Sequence, residues 1–244
     1  MQFLLQNPIG TMAICSLSRK ASFSSSAVKW EGGISMVQGA SRGIALEFVK
    51  QLLEKTEEGH VVAMCRNPNA PTGLLDLKNK FAERLSILPL DVTNESNIEV
   101  FLSFSITYFF YYSKLKVKER SLNLLINASG ILSIPDILQP GTNFTSLLKP
   151  SFKLRKDSNF FFFHAMDDKN HIVEFARKKY PIACILLHPG TVDTDLLRPF
   201  QRNVPKGKLF TKEFSVQKLL SIINNVKCHH NGKFSAWDGQ EIPW

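Results

Sequence analysis

A chain of 244 residues with 44% hydrophobic and 21% charged residues has an ordinary globular balance and enough apolar material for one sizeable core, so one principal domain is expected. The formal net charge of +9 suggests nucleic acid or a membrane surface until its distribution is followed: residues 1–30, 101–120 and 149–170 carry eight of the nine charges. No basic stripe interleaved with stacking aromatics emerges, which argues against a nucleic-acid partner, and no apolar run reaches the roughly 18–20 residues that span a bilayer, residues 100–113 coming nearest.

Residues 1–30 contain no Asp or Glu, carry Arg19, Lys20 and Lys29, and include the serine-rich run at 22–26. That composition reads equally as an organelle transit peptide, for a chloroplast or mitochondrion, or as a disordered amino-terminal tail on a cytoplasmic protein. From residue 31 onward strands and helices alternate. Residues 34–38 read as a buried strand, 44–55 carry apolar residues at helical spacing, 60–65 form a second strand, 74–81 a helix, 85–90 a third strand and 122–127 a fourth. Residues 172–179 resemble the end of a helix that Pro181 stops, 182–187 are another strand, 215–226 a helix and 232–237 a short last strand. This alternation predicts an α/β fold with a parallel sheet covered on both faces.

Two stretches break the rhythm. Residues 100–120 and 142–170 are rich in Phe, Tyr, Lys, Asn and Ser, and neither shows a helical or strand period. Both read as insertions or replacements in an otherwise regular domain spanning 31–244. The four cysteines, Cys15, Cys65, Cys184 and Cys228, show neither metal-ligand spacing nor a disulfide framework, so a reducing compartment fits best and no metal site is expected. The pair His229 and His230 beside Cys228 has no partner ligands elsewhere, and the sequons at Asn94, Asn127 and Asn143 read as chance matches.

Ordered motifs sit on this frame. Gly39-Ala40-Ser41-Arg42-Gly43-Ile44-Ala45 follows the first buried strand and opens a helix; glycines there let a pyrophosphate approach the backbone N–H groups and the positive helix end. Asp91-Val92-Thr93 follows the third strand, Asn127-Ala128-Ser129-Gly130 the fourth, and Pro189-Gly190-Thr191-Val192-Asp193-Thr194 the strand at 182–187. Together these motifs resemble the short-chain dehydrogenase/reductase family, and their wording is most similar to its small carbonyl-reductase-like branch, related to bacterial C-factor proteins. The resemblance covers residues 34–95, 122–141 and 171–244. It implies a Rossmann-type, doubly wound parallel sheet and a bound nicotinamide dinucleotide held by Gly39, Ser41, Arg42, Gly43, Ile44, Arg66, Asp91, Val92, Asn127, Ala128, Pro189, Gly190, Val192 and Thr194. In that family Asp91 approaches the adenine, and the Val192 backbone and Thr194 hydroxyl meet the nicotinamide carboxamide. Arg42 and Arg66 correspond to the basic residues that favour NADP(H) over NAD(H), since a guanidinium can pair with a 2′-phosphate and no carboxylate ends the strand at 60–65.

The family's chemistry uses a Tyr-x-x-x-Lys pair and a Ser or Thr at the end of the fifth strand, all between Gly130 and His171 here. No tyrosine occurs between Tyr112 and Tyr180. Tyr112 and Lys116 match the spacing literally but precede the fourth strand, on a covering element away from the nicotinamide, so they are read as coincidence and no catalytic residue is assigned. Between Asn127 and Ile182 there is barely room for the crossovers the fold needs. The sheet is therefore expected to be incomplete, with the fifth strand, the catalytic helix and the family's oligomerisation helices lost or replaced. Three readings stay open: an NADP(H)-dependent oxidoreductase acting on a small carbonyl or alcohol with impaired competence, a non-catalytic NADP(H)-binding protein, and an unstable truncated splice or gene-model variant.

Overall fold

The computed structural model describes residues 12–17, 33–70, 73–91, 94, 96–97, 122–128, 182–227 and 230–243. In chain order the elements are β1 (Met12–Leu17), β2 (Ile34–Gln38), α1 (Gly43–Lys55), β3 (His60–Cys65), α2 (Gly73–Lys80), β4 (Leu85–Pro89), β5 (Leu122–Asn127), β6 (Ile182–His188), β7 (Thr191–Val192), a 3₁₀ turn (Arg198–Asn203), β8 (Leu209–Phe210), α3 (Lys212–Asn224) and β9 (Phe234–Ala236).

The unbroken apolar runs of β2 and β3 are buried at every residue, as central parallel strands require. The sheet order is β4-β3-β2-β5-β1-β6-β9. The pairings β4 to β3, β3 to β2, β2 to β5 and β6 to β9 are all parallel. This is the Rossmann-type α/β sheet, with the reversal of strand order falling between β2 and β5.

Side chains alternate between faces, and on one face Val37, Ala63, Leu124, Ile126, Ile185 and Leu187 join α1 and α3 in a single apolar cluster. Helix α1 sends Phe48, Val49, Leu52 and Leu53 into it, all at most 1% exposed, and Val216, Leu219, Leu220 and Ile223 do the same from α3. Each such side chain fully buried contributes about 1.5–3 kcal/mol relative to exposure. A polar bridge ties the two helices: buried Gln51 donates through Nε2 to Glu47 Oε1 (2.8 Å) and to the Glu213 carbonyl (3.0 Å). Helix α3 begins at Thr211, whose Oγ1 accepts from the Phe214 N–H at 3.2 Å.

The short β7 and β8, the 3₁₀ turn and β1 are absent from the sequence-based expectation, and the one of them that joins the main sheet is β1. It lies between β5 and β6 and runs antiparallel to both, with Ala13 opposite Asn127 and Leu186, and Cys15 opposite Leu125 and Cys184. Residues 12–17, within the segment whose composition reads as a transit peptide or tail, thus form a sheet strand, and the place of the fifth parallel strand is taken by a strand of opposite direction, in line with the expected replacement. The physical reason is that β5 and β6 would otherwise meet no neighbour along their inner edges, and a short apolar segment of either direction can satisfy their backbone groups. The expectations for 100–120, 142–170 and 172–179 fall outside the described residues.

Candidate functional site

Strands β2, β3, β5 and β6 all point their carboxyl ends to one edge, and the sequence motifs hang from those ends. After β2 the chain turns through Gly39 (φ 76°) and Gly43 (φ 64°), both in the left-handed region that a side chain disfavours. Ala40, fully buried between them, donates its N–H to the Met64 carbonyl at 3.0 Å and so anchors the loop to β3. Helix α1 then starts at Gly43 without a side-chain cap and with no acidic residue in its first turn. Its amino end therefore keeps its orphan N–H groups and its partial positive charge available to an anion. Ser41 and Ile44 are half-buried and Arg42 is exposed beside them. Arg66, directly after β3, is exposed as well. Ala45 is 2% exposed, so the small residue is used for close packing as its position suggests.

The segment after β6 is the best-anchored part of the site. Ser215 Oγ, buried in α3, donates to the Pro189 carbonyl at 2.8 Å. The Gly190 N–H donates to His188 Nδ1 at 3.1 Å, and burial holds that imidazole below its usual pKa, in keeping with an acceptor nitrogen. Gly190 has φ 79°, and a Cβ there would stand 2.7 Å from the Phe210 ring and 3.0 Å from Trp237. That ring belongs to an aromatic group, with Phe210 centred 4.5 Å from Trp237 and 5.2 Å from Phe214. The short parallel pair of β7 and β8 sets Thr191 beside Leu209 and Val192 beside Phe210, and the Asp193 N–H reaches the Phe210 carbonyl at 2.9 Å. Val192 is buried and Thr194 half-buried. None of these supports after Thr194 was foreseen from sequence; Phe210, Phe214 and Trp237 gave no periodic signal that would have joined them.

The two motifs meet. A Cβ placed on Gly43 would lie 3.9 Å from Thr194 Cγ2, so the glycine loop and the segment after β6 face each other across ordinary van der Waals distance. Between them, at the end of β5, Asn127 is 5% exposed, and among the described residues neither Nδ2 nor Oδ1 of its side chain has a hydrogen-bond partner. A buried amide in that state costs about 1–3 kcal/mol per unmet group unless something else completes it. Ala128 packs half-buried beside it. Asp91 is half-buried after β4, its N–H held by Asn97 Oδ1 at 2.9 Å. Val92, Ser129, Gly130, Tyr112 and Lys116 lie outside the described residues. Among the described residues no group of His, Cys, Asp and Glu could hold a metal ion, and no helix is long and apolar enough to cross a membrane.

No protein-family model matches the chain. An uncharacterised oxidoreductase of Schizosaccharomyces pombe is 24% identical over 246 residues, covering 85% of this chain and 96% of the relative. Among solved structures, the chain is similar to the NADPH-bound carbonyl reductase from chicken fatty liver (TM-score 0.61, 21% identity, 88% of this chain and 99% of that one). It is similar as well to the carbonyl reductase Sniffer of Drosophila melanogaster (TM-score 0.61, 18% identity, 88% and 100%). The chain thus has the short-chain dehydrogenase/reductase fold, the Rossmann-type α/β sheet its motifs imply.

Proposed function

We propose that this chain binds NADP(H) along the carboxyl edge of β2, β3, β5 and β6, as a short-chain dehydrogenase/reductase-type protein of the carbonyl-reductase kind. The observation that carries the reading is the convergence of two motifs far apart in sequence, Gly43 and Thr194 facing each other with the uncapped start of α1 on one side. The residues present fit a dinucleotide. Gly39 and Gly43 leave the backbone open to a pyrophosphate, and Arg42 and Arg66 are exposed where a 2′-phosphate would call for a cation. Asn127 offers an unmatched buried donor and acceptor, and Pro189, Gly190, Val192 and Thr194 supply a rigid wall. Bound there, the cofactor would supply or accept hydride; the protein's part is to bind and orient it. Solved structures to which the chain is similar, the chicken fatty liver carbonyl reductase among them, hold NADPH or NADP, which supports the choice of cofactor.

A second reading concerns turnover. Since no tyrosine lies between Tyr112 and Tyr180, the chain offers no group at the expected place to protonate a developing alkoxide. We infer that it binds cofactor and reduces small carbonyls slowly or not at all. Fluorescence titration of the purified chain with NADPH and NADH tests the first reading: tighter NADPH binding is expected, and replacing Arg42 and Arg66 together by Ala should erase the preference. Absence of binding to either cofactor refutes it. For the second, a panel of small aldehydes and ketones should show turnover about 10²–10⁴ below a competent general-acid enzyme, unaffected by Tyr112→Phe. Rapid turnover abolished by that substitution would make Tyr112 catalytic and overturn the reading. The amino-terminal segment as an organelle-targeting signal is a separate proposal, checked by the amino-terminal sequence of the native protein.

A further inference from the structure

The amino-terminal strand docks far from its sequence neighbours, and its register holds a feature the cysteine spacing gave no hint of. In the antiparallel pairing of β1 with β6, Cys15 stands directly opposite Cys184. Directly opposed residues in antiparallel strands have Cα atoms about 4.5–5.5 Å apart, inside the roughly 4.4–6.8 Å that a disulfide accepts. Cys65 has no such counterpart: its place in β3 is opposite Pro89 of β4, and burial pushes its thiol pKa up, which blunts its reactivity.

We propose that Cys15 and Cys184 form a reversible disulfide that staples β1 into the sheet. The inference stands independently of the cofactor reading. Strand β1 closes the sheet only by bringing together segments more than a hundred residues apart, and that closure carries an entropy cost that a crosslink removes. In the docked state Cys184 is 1% exposed and out of an oxidant's reach. When β1 leaves the sheet, Cys15 is open to a small disulfide of the glutathione type. The Cys15 thiolate attacks one sulfur of that disulfide, forming a mixed disulfide and expelling one small thiolate. On redocking, the Cys184 thiolate attacks the Cys15 sulfur and expels the second. The small disulfide ends as two thiols, having taken up the two protons released by the protein, and the two protein thiols end as one S–S bond. In a reducing compartment the same exchange runs backward, as it does for redox-sensing rather than permanent disulfides.

The test equilibrates the full chain in oxidised and reduced glutathione buffers, then measures intact mass, non-reducing peptide maps and the urea unfolding midpoint. In the oxidised buffer the chain should become two hydrogens lighter, yield a peptide joining Cys15 to Cys184, and unfold at higher urea, all reversed by dithiothreitol. Cys15→Ser should show neither the linked peptide nor the midpoint rise. The wild-type peptide map and Cys15→Ser decide the matter even if Cys184→Ser, altered at a buried site, fails to fold. Glutathione adducts without a crosslink, a link through Cys65 or Cys228, or a Cys15–Cys184 link that leaves the midpoint unchanged would each overturn the proposal.

Discussion

Replacing Gly190 by Ala should cost about 2–4 kcal/mol of folding stability, and the cost has two separable parts. The first is conformational: at φ 79° a residue with a Cβ pays about 1–2 kcal/mol. The second is steric. The new Cβ would sit 2.7 Å from Cδ2 and Cε2 of Phe210, against about 3.5–4.0 Å for an ordinary carbon contact, so the ring has to retreat by about 1 Å. It cannot do so alone, because Trp237 lies 4.5 Å and Phe214 5.2 Å from it, centre to centre. The ring is nevertheless only half-buried, which places the overpacking penalty toward the low end of about 1–3 kcal/mol. Urea unfolding at constant m-value reads the total. Phe210→Ala in the Gly190→Ala background isolates the steric part, since it removes the collision and leaves the dihedral cost. The pair should therefore be less damaging than the sum of its members by about 1 kcal/mol or more. A Gly190→Ala chain within about 0.5 kcal/mol of the parent, or strict additivity of the two substitutions, would refute the reasoning.

Protonation of His188 gives a pH-dependent prediction. Burial lowers its pKa in the folded chain, so between the folded and unfolded values the unfolded chain holds more protons, and stability must rise with pH across that window. The contribution is complete above the unfolded value of about 6.5 and is lost as pH falls below it. Urea midpoints between pH 7.5 and 5 should fall toward acid more steeply in the parent than in His188→Asn, where an uncharged acceptor remains; equal slopes would count against it. Removal of residues 1–17 should lower the melting temperature sharply or cause aggregation, because the inner edges of β5 and β6 lose the strand between them. A truncated chain that melts with the parent would show that β1 is dispensable.

Strands β2, β3, β4, β5 and β6 were legible because each is an apolar run of strand length bounded by Gly, Pro or polar residues, and a buried parallel strand has to look like that. Helix α3 was placed three residues late at its start because Thr211 caps it and the apolar period begins only at Ser215 and Val216. Strand β1 was hidden for a different reason. Met12 to Leu17 is also an apolar run, but its surroundings, serine-rich and free of acids, matched a targeting segment, and nothing local states that its partners lie at 124–127 and 182–187. The glycines of the site were readable from motif order. The Ser215 to Pro189 bond, the His188 acceptor and the aromatic group on Gly190 depend on tertiary contact between segments that carry no mutual signal.

The direction of β1 separates stability from chemistry. A sheet tolerates a reversed strand, since antiparallel ladders satisfy the N–H and C=O groups of β5 and β6 as well as parallel ones do. What reversal changes is which residues reach the edge where the cofactor motifs converge. That edge is marked by Asn127 and Leu187, and opposite them β1 sets Ala13 and Met12, the beginning of the strand. Its hydroxyl residue, Ser16, is in register with Leu124 and Ala183, toward the other end. Thr11, the next hydroxyl residue before Met12, falls outside the described residues. In enzymes that this chain resembles, a Ser or Thr at the end of the corresponding strand cradles the substrate carbonyl. A strand entering backward can close the sheet while presenting no such residue among its own six. The sheet is mended at the level of backbone hydrogen bonds, which are indifferent to sequence. Carbonyl chemistry of the kind proposed would demand particular side chains at one end of one strand, which backbone pairing does not supply. This direction of β1 is a second ground for the proposal that the chain binds cofactor and reduces small carbonyls slowly or not at all.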